Sequence, residues 1–356
     1  MMHLTDSAGV RIVEYDSLPR TRASIRLAAT PSFSIPAEED TTSEIDPRQP
    51  WLGAVVLPNG VVVLNERTAL IFYSPAGTFI RRIGRRGSGP GEFTHTRAIC
   101  LTRSDSIVVI DYSDGRVSVW DTAGVHSRSY SRPGSVPYGG CLSDGTVIIR
   151  EAAVIPRPGD QGYSTYAHVR MRPDGSWAHF FAHLPGPMYA GPVMRELSLA
   201  ERGGVLYAGD GRLFQIDGFQ LDGMQRLSIR VRGNPPAYTQ AEWERDLRAM
   251  IPSNETGSRR AEHLARLSAL PKPDALPAFR RLRTDEEHRL WVQDYARPSL
   301  WTVFDARGAF LGRIDLSFVG GTGTELLYVS ASTVLLATRD RDGLPRITAR
   351  AVEIPP

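Results

Sequence analysis

The sequence predicts an all-β fold, a single β-propeller of about six blades, and three observations favour it. About six copies of one pattern follow each other along the 356 residues: a short apolar strand, a polar turn, a second β-rich strand and a polar residue. Glycine (33) and proline (26) are frequent, which is typical of a chain with many tight turns. Finally, a four-stranded sheet built from such apolar strands cannot bury both faces alone. A ring of sheets can, because each face packs on a neighbour.

The repeat is clearest in its first three copies, whose spacing is about one four-stranded blade, roughly 40–45 residues. Weaker copies begin near Ser198, Leu282 and Leu327. The strand pairs of the first three copies are Ala54–Leu57 with Val61–Leu64, Ala98–Leu101 with Ile107–Ile110, and Gly140–Leu142 with Val147–Ile149.

The second half of a copy adds a third strand, an Asp/Ser-x-x-Gly turn and a fourth strand. Leu300–Phe304, Asp305–Gly308 and Phe310–Ile314 show this order. Such a turn combines the hydrogen bonding of an Asp or Ser side chain with glycine where φ must be positive. The order therefore predicts two hairpins per blade.

One stretch resembles the NHL repeat. Ile83–Phe93 is a glycine-rich link, Ile107–Asp111 ends in "V-x-D", and Arg116–Asp121 fits "R-[IV]-x-[VF]-[FW]-D". The resemblance implies a six-bladed propeller. In order of decreasing likeness, it covers residues 51–130, 277–315 and 150–235.

The opening Asp6–Glu14 also resembles the start of bacterial six-bladed propeller proteins. Such proteins commonly carry a secretory or lipoprotein leader, so the resemblance implies an extracytoplasmic location. The first residues as given show neither the basic region nor the apolar core of a signal peptide. Location therefore stays open at this point.

The chain is predicted to form one domain, 1–356, whose ring is interrupted once by helices. Thr239–Glu242 reads as a capping box, and a second amphipathic run spans Ser258–Leu270. This insertion either shapes a site or covers an exposed edge. The predicted parts are residues 1–50 (N-terminal segment with a closing strand), 51–235 (blades one to four), 236–276 (helical insertion) and 277–356 (blades five and six).

A strand from the N-terminal segment is expected to complete the last blade. Val10–Glu14 or Ser24–Leu27 would add to the sheet that contains Ile347–Glu353. A second irregular stretch, Ala152–Tyr166, is rich in proline and glycine and is expected to lengthen a loop of the third blade.

The two cysteines, Cys100 and Cys141, occupy equivalent places in the innermost strands of neighbouring blades. A disulfide needs Cα atoms within about 7 Å, whereas sheets pack roughly 10 Å apart. Blades narrow toward the axis, which leaves a disulfide open, but we expect two free, structural thiols. His168, His179 and His183 form the densest histidine group, but they fall in outer strands. They are expected to be solvent-exposed strand positions and not a metal site.

Other motifs favour structural interpretations. Gly84–Gly91 lacks the lysine and the following helix of a phosphate-binding loop, so it is expected to link two blades. Asn65, Asp111 and Asp294 are expected to cap turns. No G-x-S-x-G nucleophile motif is present. No apolar run reaches 18 residues, and a net charge of +3 without a basic face argues against nucleic-acid binding.

Function is predicted at the mouth of the axial channel, where residues just before each inner strand should form a ring. Arginine and aromatic side chains there suit an anionic or sugar-like molecule, a peptide or a protein. We expect a monomeric, non-catalytic binding scaffold with no cofactor. The alternatives are a metal-assisted hydrolase or lyase with a divalent metal on the axis, and side chains that only plug the channel. The predicted mouth residues are Trp51, Arg97, Tyr138, Glu196, Arg280 and Glu325.

Overall fold

The computed structural model shows an N-terminal segment of short strands followed by six sheets in chain order. The N-terminal strands are β1 (Met2–Ser7), β2 (Val10–Tyr15), β3 (Arg26–Leu27) and β4 (Phe33–Ile35). The structure describes residues 1–19, 25–35, 53–111, 115–131, 136–156, 164–186, 188–190, 192–270, 272–320, 323–339 and 345–354.

Blades one to three are antiparallel four-stranded sheets, each running from an innermost to an outermost strand. Blade one comprises β5 (Gly53–Val56), β6 (Val62–Asn65), β7 (Leu70–Tyr73) and β8 (Phe79–Ile83). Blade two comprises β9 (Thr96–Leu101), β10 (Ser106–Asp111), β11 (Arg116–Asp121) and β12 (His126–Ser131). Blade three comprises β13 (Val136–Cys141), β14 (Val147–Pro156), β15 (Ser164–Met171) and β16 (Trp177–Pro185).

Blades four to six follow a small hairpin, β17 (Met188–Ala190) and β18 (Val193–Arg195). Blade four comprises β19 (Ser198–Arg202), β20 (Val205–Gly209), β21 (Gln215–Gln220) and β22 (Gln225–Val231). Helices α1 (Gln240–Met250) and α2 (Gly257–Ser268) come next. Blade five comprises β23 (Phe279–Thr284), β24 (Leu290–Asp294), β25 (Leu300–Phe304) and β26 (Phe310–Asp315). The short α3 (Ser317–Gly320) precedes blade six, with β27 (Glu325–Val329), β28 (Thr333–Arg339) and β29 (Pro345–Glu353).

Six apolar clusters hold the ring together, one between each pair of neighbouring blades. The strands in the middle of each blade supply both faces. In β6, for example, Val63 packs toward blade two and Leu64 toward blade six, and both are fully buried. Successive strand residues point to opposite faces, so an unbroken apolar run fits a strand covered on both sides. The predicted six-bladed propeller is confirmed.

The N-terminal segment completes blade six. Strand β29 pairs with β4 through Ile347 opposite Ile35, and with β3 through Val352 opposite Leu27. Of the two proposed closing segments, Ser24–Leu27 therefore lies at this edge through its last two residues. Val10–Glu14 lies elsewhere.

Strand β2 adds to blade four instead, in parallel with β22, and β1 pairs with its outer edge. Tyr15 explains this position. Its hydroxyl donates to the carbonyl of Gly308 at 2.9 Å and accepts from the amide of Phe310 at 2.8 Å, both in blade five. Val13 joins the same apolar cluster between blades four and five.

The helical insertion lies between blades four and five, as predicted. The Thr239 side chain accepts a hydrogen bond from the Glu242 amide, and the Glu242 carboxylate accepts one from the Thr239 amide. Trp243 and Leu247 of α1 are buried against Tyr238 and Val193. Among the described residues, no helix is both long and apolar enough to span a bilayer.

The prediction of two free thiols is wrong. Cys100 and Cys141 form a disulfide that joins the inner strands of blades two and three, with Cα atoms 6.0 Å apart. Neighbouring blades converge toward the axis like wedges. The distance typical of sheets packed face to face therefore does not apply to their innermost strands.

The expected long loop at Ala152–Tyr166 is also wrong in part. Strand β14 continues to Pro156, and Val154 pairs with Tyr166 of β15. A register shift between Arg150 and Val154 accommodates this extension. Backbone pairing therefore reaches well into the stretch that its composition marks as irregular.

The glycine-rich stretch connects β8 to β9 and encloses a carboxylate of its own chain. Glu92 accepts hydrogen bonds from the Gly89 amide at 2.9 Å and from Arg85 Nε at 2.7 Å. A Cβ at Gly87 would lie 2.0 Å from Glu92 Oε2. The space that a phosphate would need is thus occupied by Glu92. Asp111 holds the end of the same link through the amides of Thr94 and His95.

Ring closure by β4 is tested with Ile35→Ala, because Ile35 is fully buried in the cluster between blades one and six. Truncating a buried isoleucine costs about 2–5 kcal/mol of the free energy of unfolding. Ile80→Ala is the control, since Ile80 is 44 % exposed on the outer strand β8, and we expect less than about 0.5 kcal/mol. Denaturant titrations measure both, and equal small losses would contradict the pairing.

The disulfide is tested by thiol titration in denaturant. We expect no reactive thiol before reduction and both Cys100 and Cys141 after it, because the pair is bonded. Replacing both with alanine should lower the free energy of unfolding by about 2–4 kcal/mol, since the cross-link restricts the unfolded chain. Two reactive thiols in the unreduced, denatured protein would contradict the bond.

Candidate functional site

An axial cavity of about 620 Å³ lies at the centre of the ring, lined by residues of the inner strands of all six blades. Small residues keep it open: Ala54, Ala98, Gly140 and Ala200 all line the wall. At Gly140 a Cβ would already come within 3.2 Å of Leu199 Cδ1. The inner strands thus form a lined channel, while the middle strands form the core.

The channel has two chemically different ends. We call the end where the inner strands begin the strand-start end; Arg97, Glu196, Arg281 and Glu325 lie there. We call the other the turn end, because turns join each inner strand to the next strand of its blade there.

Two ion pairs form at the strand-start end. Arg97 Nη2 lies 3.0 Å from Glu196 Oε2 and so joins blade two to blade four past blade three. Arg281 Nη1 lies 4.0 Å from Glu325 Oε2. Burial lowers the pKa of Arg281, while the charge of Glu325 opposes that shift, and Arg97 and Glu196 also act on it. These four charges therefore form one cluster.

The structure brings together three of the six residues predicted for the mouth: Arg97, Glu196 and Glu325. Arg280 is exposed at the same end. Its charge lowers the pKa of Arg281, and it also lowers the pKa of Tyr295, which burial raises. The side chain of Tyr138 and the whole of Trp51 lie outside the described residues.

Arg281 and Arg283 are the arginines that the sequence reasoning missed on β23. A register shift between Phe279 and Arg281 sets Arg280 apart from the regular alternation. Arg281 pairs with Glu325, and Arg283, two residues further on, lines the cavity. Residues i and i+2 of a strand lie on the same face, so this spacing could have indicated that both arginines face the channel.

Arg283 is one of the arginines that line the channel. Its Nε donates to the carbonyl of Leu326 at 3.0 Å. Burial lowers the pKa of its guanidinium to about 10; the charge of Arg281 adds to that shift, and the charge of Glu325 opposes it. It therefore stays a cation at neutral pH. Within the described part of the chain, no carboxylate lies at ion-pair distance from Arg283.

The turn end carries Glu286, His288 and Tyr328, which all line the cavity. The Tyr328 hydroxyl donates to Glu286 Oε1 at 3.1 Å. Burial raises the pKa of Tyr328, and the neighbouring Glu286 charge raises it further. Tyr328 is therefore a neutral donor at physiological pH.

Asp285 fixes the turn that bears Glu286 and His288. Its buried carboxylate accepts hydrogen bonds from the amides of Glu287 and Arg289, from Arg289 Nε at 2.6 Å and from Trp291 Nε1 at 3.0 Å. These hydrogen bonds fix the backbone of the turn, and with it the positions of Glu286 and His288 at the cavity.

His288 has a left-handed backbone, with φ of 62°. The corresponding turn position is Gly60 in blade one and Gly145 in blade three, with φ of 82° and 84°, and Asp105 in blade two, with φ of 54°. A side chain in this region costs about 1–2 kcal/mol. The His288 ring lies over Gly203, where a Cβ would come within 2.4 Å of His288 Cε1. Blades two and five therefore both hold a side chain in this unfavourable region, and in blade five that side chain is an imidazole at the turn end.

The histidine group does not converge on one point. His168 is fully buried and its Nδ1 lies 3.0 Å from the carbonyl of Tyr166, so the expectation that it is exposed is wrong. His179 contacts the carbonyl of Leu221 at 2.9 Å, whereas His183 is exposed beside Phe180. Register shifts in the pairing of β15 with β16 interrupt the regular alternation between His179 and His183. In the described ranges, no three His, Cys, Asp or Glu side chains form a metal-ligand group.

Comparison with known proteins supports the architecture. The model of a family described as a 6-bladed beta-propeller (DUF5128) matches residues 58–131. The described chain is a six-bladed β-propeller. No curated protein sequence matches it significantly.

Two solved structures are similar to nearly the whole chain. A candidate exported protein from Bacteroides fragilis has a TM-score of 0.58 at 13 % identity, and the match covers 97 % of this chain and 100 % of that one. A member of the DUF4221 family from Bacteroides vulgatus has a TM-score of 0.55 at 12 % identity, covering 93 % and 99 %. At such identities the likeness shows the fold alone.

Acid should weaken the fold through His168. Burial lowers the pKa of His168 to about 4, while an unfolded histidine titrates near 6.5. The unfolded state therefore binds the proton first, and stability falls as the pH drops from about 6.5 toward 4. The loss approaches roughly 3 kcal/mol. Denaturant titrations across this range should show a shallower pH slope for His168→Gln than for the control His183→Gln. Equal slopes would contradict the burial of a neutral imidazole.

Proposed function

We propose that this protein is a binding module that takes a small organic anion into its axial channel. The observation that carries the proposal is Arg283. It is a cation inside the channel that lines the cavity and has, among the described residues, no carboxylate at ion-pair distance.

A carboxylate is the ligand group that Arg283 suits best. With Nε engaged by Leu326, the terminal nitrogens remain as donors. A guanidinium binds a planar anion such as carboxylate with two parallel hydrogen bonds. Inside a narrow channel the attraction is screened less than on an open surface, which favours an anion over a neutral ligand.

The dimensions of the channel favour a small molecule over the peptide or protein that the sequence left open. A volume of about 620 Å³ lies within the roughly 300–1,000 Å³ of small-molecule sites. At the strand-start end, the Arg97–Glu196 and Arg281–Glu325 pairs form a charged cluster. Because this cluster occupies the strand-start end, the proposed ligand enters the channel from the turn end.

The metal-assisted hydrolase or lyase remains the alternative that the sequence raised. It needs at least three converging ligands on the axis, and the described residues offer no such group of His, Cys, Asp or Glu. We therefore develop the binding function alone. The NHL character of the blades and the monomeric state stay predictions.

We further propose that the protein works outside the cytoplasm. A disulfide joins Cys100 to Cys141, and such bonds persist in oxidising compartments. Similarity to a candidate exported protein from Bacteroides fragilis agrees with this location.

The anion proposal is tested with matched acids and amides: cyclohexanecarboxylate and glucuronate, each beside its carboxamide. We expect at least one acid to bind and its amide to bind at least tenfold more weakly, measured by calorimetry. Arg283→Gln should reduce binding of that acid by roughly 10–100-fold, because a hydrogen bond to a charged group contributes about 1.5–3 kcal/mol.

The control for this variant is Arg313→Gln, in the same blade but exposed on the outer strand β26. It should leave acid binding unchanged. Equal affinities for acid and amide, or an Arg283→Gln protein that binds acids like the parent, would overturn the proposal.

A further inference from the structure

The turn end of the channel holds polar groups that an isolated anion site does not need. Glu286, Tyr328 and His288 line the same cavity as Arg283. Arg202 also lines it, and its charge acts on Tyr328. Donors and acceptors therefore stand side by side within reach of a ligand held by Arg283.

Glu286 is an acceptor with room for a ligand. Its Oε1 takes the Tyr328 hydroxyl at 3.1 Å. In the portion of the chain that is described, it makes no other hydrogen bond or ion pair, and the residue is exposed. An ionised carboxylate accepts through both oxygens and never donates. The open oxygen therefore favours a hydroxyl donor, and it repels a second carboxylate.

Tyr328 and His288 complete the pattern. A phenol that donates to Glu286 still has acceptor capacity, and a neutral imidazole provides one donor and one acceptor. His288 adopts a left-handed backbone where blades one and three use glycine and blade two uses Asp105. Strain of this kind persists where the surrounding structure enforces it, often at binding sites. Here Asp285 enforces it through the amides of Glu287 and Arg289.

Arg283 and Glu286 are arranged in series along the channel. Both belong to blade five and line the same cavity: Arg283 lies on β23, and Glu286 lies three residues later on the turn that follows. One ligand molecule can therefore contact both if its carboxylate and its hydroxyls lie at opposite ends. A purely apolar acid would offer no hydroxyl to the second oxygen of Glu286.

We propose that Glu286, Tyr328 and His288 form a hydroxyl-recognition subsite and that the channel ligand is a polyhydroxy carboxylate of the sugar-acid class. The inference rests on the anion-binding function proposed above. It assigns the carboxylate of the ligand to Arg283 and its far hydroxyls to the turn end.

Three probes separate the two ends: glucuronate, cyclohexanecarboxylate and glucose. All three have a six-membered ring. Glucuronate carries a carboxylate and hydroxyls, cyclohexanecarboxylate carries only the carboxylate, and glucose carries only the hydroxyls. We expect glucuronate to bind at least tenfold more tightly than cyclohexanecarboxylate, and glucose to bind most weakly. Calorimetry on the full chain measures all three.

The variants Glu286→Gln and Tyr328→Phe should lower glucuronate affinity at least fivefold and leave cyclohexanecarboxylate affinity unchanged. Glu287→Gln is the matched control, because Glu287 is adjacent but pairs with Arg289 at 3.2 Å. It should change neither. Arg283→Gln should weaken both acids.

His288→Gly separates a binding role from a structural one. Glycine suits the left-handed backbone, so the variant should unfold at the same or a higher temperature while losing glucuronate affinity. A lower melting temperature with unchanged affinity would make His288 structural and overturn its part in the subsite.

The outcomes distinguish the two proposals. Equal binding of both acids, with dependence on Arg283 but not on Glu286 or Tyr328, would overturn the hydroxyl subsite and leave the anion site standing. Failure of both acids to bind would overturn both proposals. Tighter binding of glucose than of either acid would overturn the anion site and the sugar-acid assignment with it, and would leave only the hydroxyl subsite.

Discussion

The fold depends on mutual coverage of sheet faces. Each blade is apolar on two sides, and neither side can be kept from water by the blade itself. The clusters between blades answer this need, and closure of the ring gives the last blade a partner in the first. Leu64 of blade one packs in the same cluster as Leu335 of blade six. The short N-terminal strands matter because they extend this last sheet and seal its edge.

Because the middle strands form the apolar core, the inner strands can line a channel. They lie at the narrow side of each wedge, where small residues such as Ala98 and Gly140 leave a channel. Charged side chains lie there too, and some of them are paired, as Arg97 is with Glu196. Glu201 illustrates the structural use of such a charge, since its carboxylate accepts from the Ser143 amide and the Gly204 amide. Arg283 and Glu286 are the charges for which a ligand is proposed.

Much of the fold was predictable because short apolar strands and Asp-x-x-Gly turns are local properties of the chain. The helical insertion was predictable for the same reason, through the Thr239 capping box. The site was less so. Arg97, Glu196 and Glu325 follow from counting positions before each inner strand. Arg280 was predicted at the channel mouth, but Arg281 lies there. The cause is a register shift in β23, which the local sequence pattern does not predict.

The sequence by itself determined the number of blades, their order and the place of the insertion, since these follow from short-range periodicity and turn chemistry. Only the tertiary structure decided which strand ends meet across the axis, because such contacts join residues far apart in the chain. The Arg97–Glu196 pair spans 99 positions. The convergence of the wedges brought Cys100 to Cys141, and packing between blades buried His168. These are consequences of how rigid sheets are arranged around an axis, and no single segment of chain encodes them.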